Sequence, residues 1–425
     1  MESPTTSVPT RVVEQQVFDI HCHPCLKTWL FPSHHVYDTF YPSSPDFSEN
    51  CFVNIDEMQT GNVGAGVSVY YLPEAELETE HMKSVLMTLA LDALKLLCGR
   101  LPLIVEDKST PSASFNQMQT YINTFVSDIH TATGMGYNVA IANSFADLQA
   151  NLNNGTTVFL HSLEGAHCLG NYPITFDELV SNLTWFFNIG VCQITLGHFF
   201  ENILVSSSGG IPPGLATSLN YDPDSSKTYL NGYNGQLAMD VIDKILDLGI
   251  IIDLVHTYPD AKQMVYDRNN ARGANKRPLT FAHTGIYEIA MRHNPGMDPK
   301  YARVLPNSAD ITAIKDCNGV LGLIFMDYWL TGDDDHRPAI AAIVESIIFI
   351  RDVPDSAGNS GTYDHIAIGT DLDGFTTIPD DLLGEVHMKD LVDAIAGIDG
   401  ISDQDIDNIC WSNYMRVLQN GWGKA

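Results

Sequence analysis

The stretch "VFDIHCHPCLK", residues 17–27, closes an apolar run with two histidines two positions apart. Residues i and i+2 of a strand face the same way, so His21 and His23 could grip one ion from the same side. Imidazole suits zinc and the other divalent first-row metals. With 15 His in 425 residues, such a pair arises by chance at roughly even odds, and its meaning depends on what else lies near it.

More polar residues close apolar runs further along. Glu164 does so in "HSLEGAH", His198 in "VCQITLGH", His256 in "GIIIDLVH", His283 in "PLTFAHTG" and Asp371 in "GTDLDG". Each has a plainer reading alone: Glu164 as a helix cap, His256 or His283 as a satisfied buried histidine. Together they fit a paired metal site. A carboxylate such as Glu164 can bridge two ions. His21 and His23 would hold the first, and His256 and His283 the second. Two ions about 3.5 to 4 Å apart share and acidify a water, giving hydroxide at neutral pH. Asp371 could hold that water and move its proton to a leaving group. Asp373 reads as a cap or a hydrogen-bonded turn acid. His161 and His167, flanking Glu164, read as neighbours of the site. His34, His35 and His387 lack strand context and read as surface residues.

The elements that must position this set are eight apolar, β-branched runs: 17–22, 63–72, 157–165, 191–198, 249–256, 278–285, 319–326 and 365–374. Helical patterns separate most of them. "QLAMDVIDKILDLG" (236–249) is one, with apolar residues at helical spacing and a glycine stop. Continuous apolar strands alternating with amphipathic helices mark a covered parallel sheet. Eight units predict a closed (β/α)8 TIM-type barrel, whose strand C-termini all open at one mouth. An open doubly wound sheet is the alternative, but no G-x-G-x-x-G follows the first strand. Residues 26–52 and 205–235 follow strands and are rich in Pro and Ser, so they read as insertions over the catalytic face. Residues 1–16 read as a flexible arm and 17–425 as one domain.

Composition narrows the function. There are 22 basic against 52 acidic residues, a formal charge of -30. That counts against nucleic acid and anionic membrane surfaces as partners. No apolar run reaches the roughly 18 residues of a membrane span. The start lacks the basic and apolar regions of a secretory signal, which leaves a soluble protein, cytoplasmic or exported with its signal trimmed. The eight cysteines are scattered. Cys22 and Cys25 have C-x-x-C spacing, but Pro24 and the flanking histidines count against a redox motif, and buried free thiols are expected. Asn154 and Asn182 stand in N-x-[ST] sequons.

The order H-x-H, E, H, H, D on successive strands resembles the amidohydrolase superfamily, and the local strings resemble its membrane (renal) dipeptidase family. "SLEGAH" (162–167) is similar to that family's E-G-G-H, "ITLGHFFEN" (194–202) to its L-T-H strand end, and "LDLGIIIDLVH" (246–256) to its D-L-S-H strand. "PLTFAHTG" (278–285) resembles its F-S-H-S, "IGTDLDG" (368–374) its G-x-D-F-D-G, and "ICWSNYMRVL" (409–418) its closing helix. The resemblance implies a hydrolase of dipeptides or related small amides with a free carboxylate. It implies two divalent ions, zinc above all, a metal-bridging hydroxide, and a homodimer. It also implies that Glu164 bridges, that Asp371 shuttles the proton, and that His198 contacts substrate and steadies the oxyanion. Arg303 falls where the family binds the substrate's carboxylate, with Arg292 as a competing candidate; the planar guanidinium suits bidentate carboxylates.

Three features depart from the family. The first motif is H-x-H where the family has H-x-D, which makes the site one charge more positive. Gly197 replaces a Thr. The segments 26–52 and 74–115 are longer than the family's. Alternatives on the same scaffold are hydrolysis of an N-acyl amino acid or lactone, a single-ion decarboxylase, which would not need Glu164, and a non-catalytic binding protein.

Overall fold

The computed structural model describes residues 16–30, 34–38, 52–77, 105–218, 220–224, 234–333, 339–374 and 378–424. The predicted arm, much of 26–52 and 74–115, and part of 205–235 lie outside them.

Nine parallel strands form one sheet: β1 (Val17–Cys22), β2 (Val63–Tyr71), β3 (Val139–Ile141), β4 (Thr157–Glu164), β5 (Val191–Thr195), β6 (Ile251–Asp253), β7 (Leu279–Thr284), β8 (Val320–Leu323) and β9 (Ile366–Ile368). Pairing runs β2-β1-β9-β8-β7-β6-β5-β4, and β2 pairs with β4 from Ala65↔Val158 to Tyr71↔Glu164. The eight strands therefore close into the expected (β/α)8 barrel. All eight predicted runs are strands. The ninth, β3, was not expected. Its short apolar run is enclosed by Asn138 and Asn143 with no candidate ligand at its end, and it lies beside Thr157–Phe159 of β4, whose later residues pair with β5.

Val158, Leu160, Phe18, Ile20, Val67, Cys192, Ile251, Ala282, Val320 and Ala367 pack into one buried cluster with Tyr414, Val417, Leu418 and Trp422. Every barrel strand contributes to it, which only the barrel interior allows; the C-terminal helix Asn413–Gly421 closes the floor. The helices around the barrel bury a second, larger cluster. The expected helix at 236–249 spans Gly235–Leu248 and stops at Gly249, which has φ 76°.

The six described cysteines are buried free thiols. Cys22 and Cys25 each donate to a strand carbonyl, Val67 and Val69 respectively. Asn182 is buried and donates its amide to the Leu169 carbonyl at 2.7 Å, whereas Asn154 is exposed. Among the described residues, no helix is long and apolar enough to cross a membrane.

Candidate metal centre

The barrel mouth gathers six residues from five strands or the turns after them. Glu164 ends β4 and His283 lies in β7. His21 lies in β1, and His23 is one residue past it. His256 and Asp371 lie three residues beyond β6 and β9, not on the strands as the sequence suggested. Both adopt left-handed backbone, with φ 60° and 58°. That conformation costs a non-glycine residue of the order of 1 kcal/mol and takes the chain out of the ladder, turning these side chains back over the mouth.

Of four buried triads among the described residues whose ligand atoms lie within 4.8 Å of one another, two divide these six residues between them: His21, His23 and Asp371, and Glu164, His256 and His283. In the first, the His21 and His23 Nε2 atoms are 3.2 Å apart, and Asp371 Oδ1 is 2.9 Å from His23 Nε2. In the second, the His256 and His283 Nε2 atoms are 3.1 Å apart. Glu164 joins the two. Its Oε1 lies 3.5 Å from His21 Nε2, 3.6 Å from His256 Nε2 and 3.6 Å from His283 Nε2, and its Oε2 lies 3.5 Å from His23 Nε2. Glu164 Oε1 is buried without a donor.

The surroundings fix each ring and carboxylate. His256 Nδ1 donates to the Gly209 carbonyl at 2.7 Å, which leaves Nε2 as the lone-pair nitrogen facing the cluster. Gly209 belongs to the 205–235 insertion, which thus does lie against the site. Asp19 accepts from the backbone N–H groups of His21 and Thr370 and from the Thr370 hydroxyl at 2.6 Å, tying β1 to the turn that carries Asp371. Asp253 accepts from the Thr195 hydroxyl and the Ala282 N–H, tying β6 to β5 and β7. A Cβ on Gly374 would run into Asp371 Oδ1 and the His23 ring. A Cβ on Gly197 would lie 2.7 Å from the His256 carbonyl oxygen, so this packing excludes the threonine of the family pattern.

Burial sets the charge state. It pushes His21, His256 and His283 well below the usual histidine range, with the neighbouring histidines adding to the effect, and it lowers His23 despite Glu164. All four rings are therefore held neutral, the form that ligates metals. Burial pushes Glu164 and Asp371 well up; beyond it, Asp371 raises Glu164 and Asp19 raises Asp371. Asp253 rises to about 6 through burial, against the hydrogen bonds it accepts.

His198 stands three residues beyond β5, with Nε2 3.9 Å from Glu164 Oε2. Its Nδ1 is 3.0 Å from Glu74 Oε1, an acid the sequence reading missed. Burial alone would raise Glu74, but His198, His167 and the Tyr71 hydroxyl outweigh it and hold the carboxyl below its usual range. Glu74 follows β2, a predicted strand to which no polar candidate was assigned, and Asp19 continues the D-x-H-x-H period of β1; both signals were legible. His161 is bound by the Tyr70 hydroxyl at 2.8 Å and His167 by the Leu72 carbonyl, so neither belongs to a triad. Asp373 accepts from the N–H groups of Phe52 and Val53, as a turn acid does. The side chains of His35 and His387 are at least a third exposed and pair with Asp128 and Asp390. Arg303 is mostly buried beside Tyr258, whereas Arg292 is exposed and pairs with Glu345.

The family described as membrane dipeptidase, peptidase family M19, matches residues 10–421. Dipeptidase tcpJ of Claviceps purpurea is 24% identical over 281 residues, 66% of this chain and 54% of that protein. The chain spans about half the length of the curated relatives it matches. A Rhodobacter sphaeroides metallopeptidase, solved with a phosphinate mimic of L-Ala-D-Ala, shares the fold at TM-score 0.65 and 15% identity, covering 96% of this chain and 99% of that one. The probable dipeptidase PvdM of Pseudomonas aeruginosa does so at TM-score 0.65 and 14% identity, covering 97% and 96%. With its motifs in order along a match that takes in nearly the whole barrel, the chain belongs to the membrane dipeptidase family, M19.

Proposed function

We propose that the protein is a binuclear metal-dependent hydrolase that cleaves dipeptides, or related small amides with a free carboxylate. The observation that carries this reading is Glu164: a fully enclosed carboxylate oxygen without a donor, ringed by three imidazole nitrogens at 3.5 to 3.6 Å. Lone pairs converge there with no positive charge between them, an arrangement that fits cations. Four neutral imidazoles and two carboxylates are a donor set suited to zinc. Two divalent ions, one held by His21, His23 and Asp371 and one by His256 and His283 with Glu164 bridging, would polarise the scissile carbonyl and acidify a water.

The chain's own groups supply the rest. Asp371 is placed to take the proton of the attacking water and return it to the leaving amine. Burial lowers His198 on balance and Glu74 opposes it; protonated at both nitrogens, the ring would donate its Nε2–H to the carbonyl oxygen as charge develops on it. Arg303 takes the substrate's carboxylate. The similarity to the Claviceps dipeptidase and the dipeptide mimic bound in the Rhodobacter structure support the same substrate class.

The test is turnover of a panel of free dipeptides by zinc-loaded protein. The reading expects hydrolysis that chelation abolishes and zinc restores. Absence of turnover across the panel with two ions bound would refute it.

A further inference from the structure

Arg303 caps the short helix Pro299–Ala302 and keeps only 16% of its side chain exposed. Its three nitrogens are used unequally. Nη1 donates to Asp224 Oδ1 at 2.7 Å. Nε and Nη2 are buried and have no acceptor among the described residues. Those two atoms form one edge of the guanidinium, with parallel N–H bonds at the spacing of a carboxylate's two oxygens. Leaving both unbonded is costly unless a ligand completes them.

The neighbours of this guanidinium lie on or against the segments that carry two of the site histidines. The guanidinium lies 5.5 Å from the Tyr258 ring centroid, and Tyr258 follows His256 by two residues. Its charge also acts on Tyr221, whose hydroxyl donates to the Phe199 carbonyl at 2.7 Å, next to His198. Asp224 arrives from the other direction, on the 205–235 insertion that also supplies the Gly209 carbonyl to His256.

We propose that Asp224 is a positioning residue for substrate recognition: by holding Nη1 it aims the Nε–Nη2 edge of Arg303 at the substrate's α-carboxylate. The inference rests on the reading of Arg303 as the carboxylate-binding residue. A guanidinium fixed in advance loses less side-chain freedom when the ligand docks. Asp224 is 48% exposed, so solvent screens the pair and the effect is modest. The opposite arrangement, with Asp224 as an internal competitor for the same arginine, predicts the opposite sign.

The experiment compares Asp224→Asn, Asp224→Glu and Arg303→Gln on one dipeptide as its free acid and as its C-terminal amide. Asp224→Asn is expected to raise KM for the free acid about 3- to 10-fold, leaving kcat and the amide unchanged, as a loss of uniform binding does. Asp224→Glu is expected to recover most of it. Arg303→Gln is expected to raise KM for the free acid further, again sparing the amide. If Arg303→Gln acts so but Asp224→Asn leaves or lowers KM for the acid, or raises KM for acid and amide alike, the positioning role is overturned and the arginine reading stands. If Arg303→Gln does not separate acid from amide, the arginine reading falls and the inference with it.

Discussion

The two halves of the centre are built differently. His21 and His23 come from one short segment, and the backbone braces them: Asp19 holds the His21 N–H, and the Asp371 N–H donates to the His21 carbonyl at 2.8 Å. Glu164, His256 and His283 come from three separate stretches of chain; the His256 carbonyl accepts from the Ser208 N–H at 2.7 Å, and here the two rings are braced as well. His256 is held through Nδ1 by Gly209, and His283 stacks on Trp329 with planes 13° apart. A half braced through its backbone can accept a change of side chain that still ligates. A half braced through its rings cannot, because the ring itself is the contact.

The largest effect that would break this picture is on the ligands themselves. His21→Ala and His256→Ala are each expected to lower kcat/KM by about 10³-fold or more, since either removes several kcal/mol of charge stabilisation. Steady-state kinetics at saturating zinc checks this, and a mild effect of either would mean that half is dispensable. Asp371→Asn is expected to reduce kcat by roughly 10²-fold, the low end for a lost proton carrier, because an amide can still ligate while it cannot shuttle.

Next come the substitutions that separate the halves. His23→Asp is expected to keep both ions and stay within about tenfold of wild-type activity. His256→Asp is expected to lose an ion, since aspartate has no N–H for the Gly209 carbonyl. Equal tolerance in both would erase the distinction. The buried braces follow: Asp19→Asn and Asp253→Asn should each weaken metal affinity about 10- to 100-fold, read by competition with a chromogenic chelator.

Metal removal has a pH signature. In the metal-free protein, burial raises the pKa values of Glu164 and Asp371 above their unfolded values. Their protonated forms therefore stabilise the fold at low pH, and that contribution is lost as pH rises through the raised values. Bound ions need the carboxylates ionised, so the gain from metal grows over the same range. The melting-temperature gap of loaded over stripped protein should widen as pH rises above the ordinary carboxylate range and through those raised values, reaching on the order of 5 to 15 °C. A gap that narrows with pH would contradict the assignment of these acids.

The same contrast governs what the sequence could reveal. His21 and His23 are a spacing, visible in "HCH" alone. Glu164, His256 and His283 were visible only once the apolar runs had been read as strands whose ends meet. The eight barrel strands were legible because each is a continuous apolar run between polar stretches. Val139–Ile141 was not: its short apolar run lies between Asn138 and Asn143 and ends on no candidate ligand. The positive φ of His256 and Asp371, which carries each past its strand, has no signature in residue type. Glu74 and the Gly209 carbonyl act through contacts across 124 and 47 residues, and a main-chain oxygen leaves no mark in a sequence at all.

The central claim is that Glu164 joins two ions into one centre. Metal content per chain, by elemental analysis of wild type and Glu164→Ala, tests it most directly. The account predicts two zinc-like ions in wild type and loss of at least one, together with hydrolysis, in the variant. One ion or none in wild type, or two ions retained without Glu164, would contradict it.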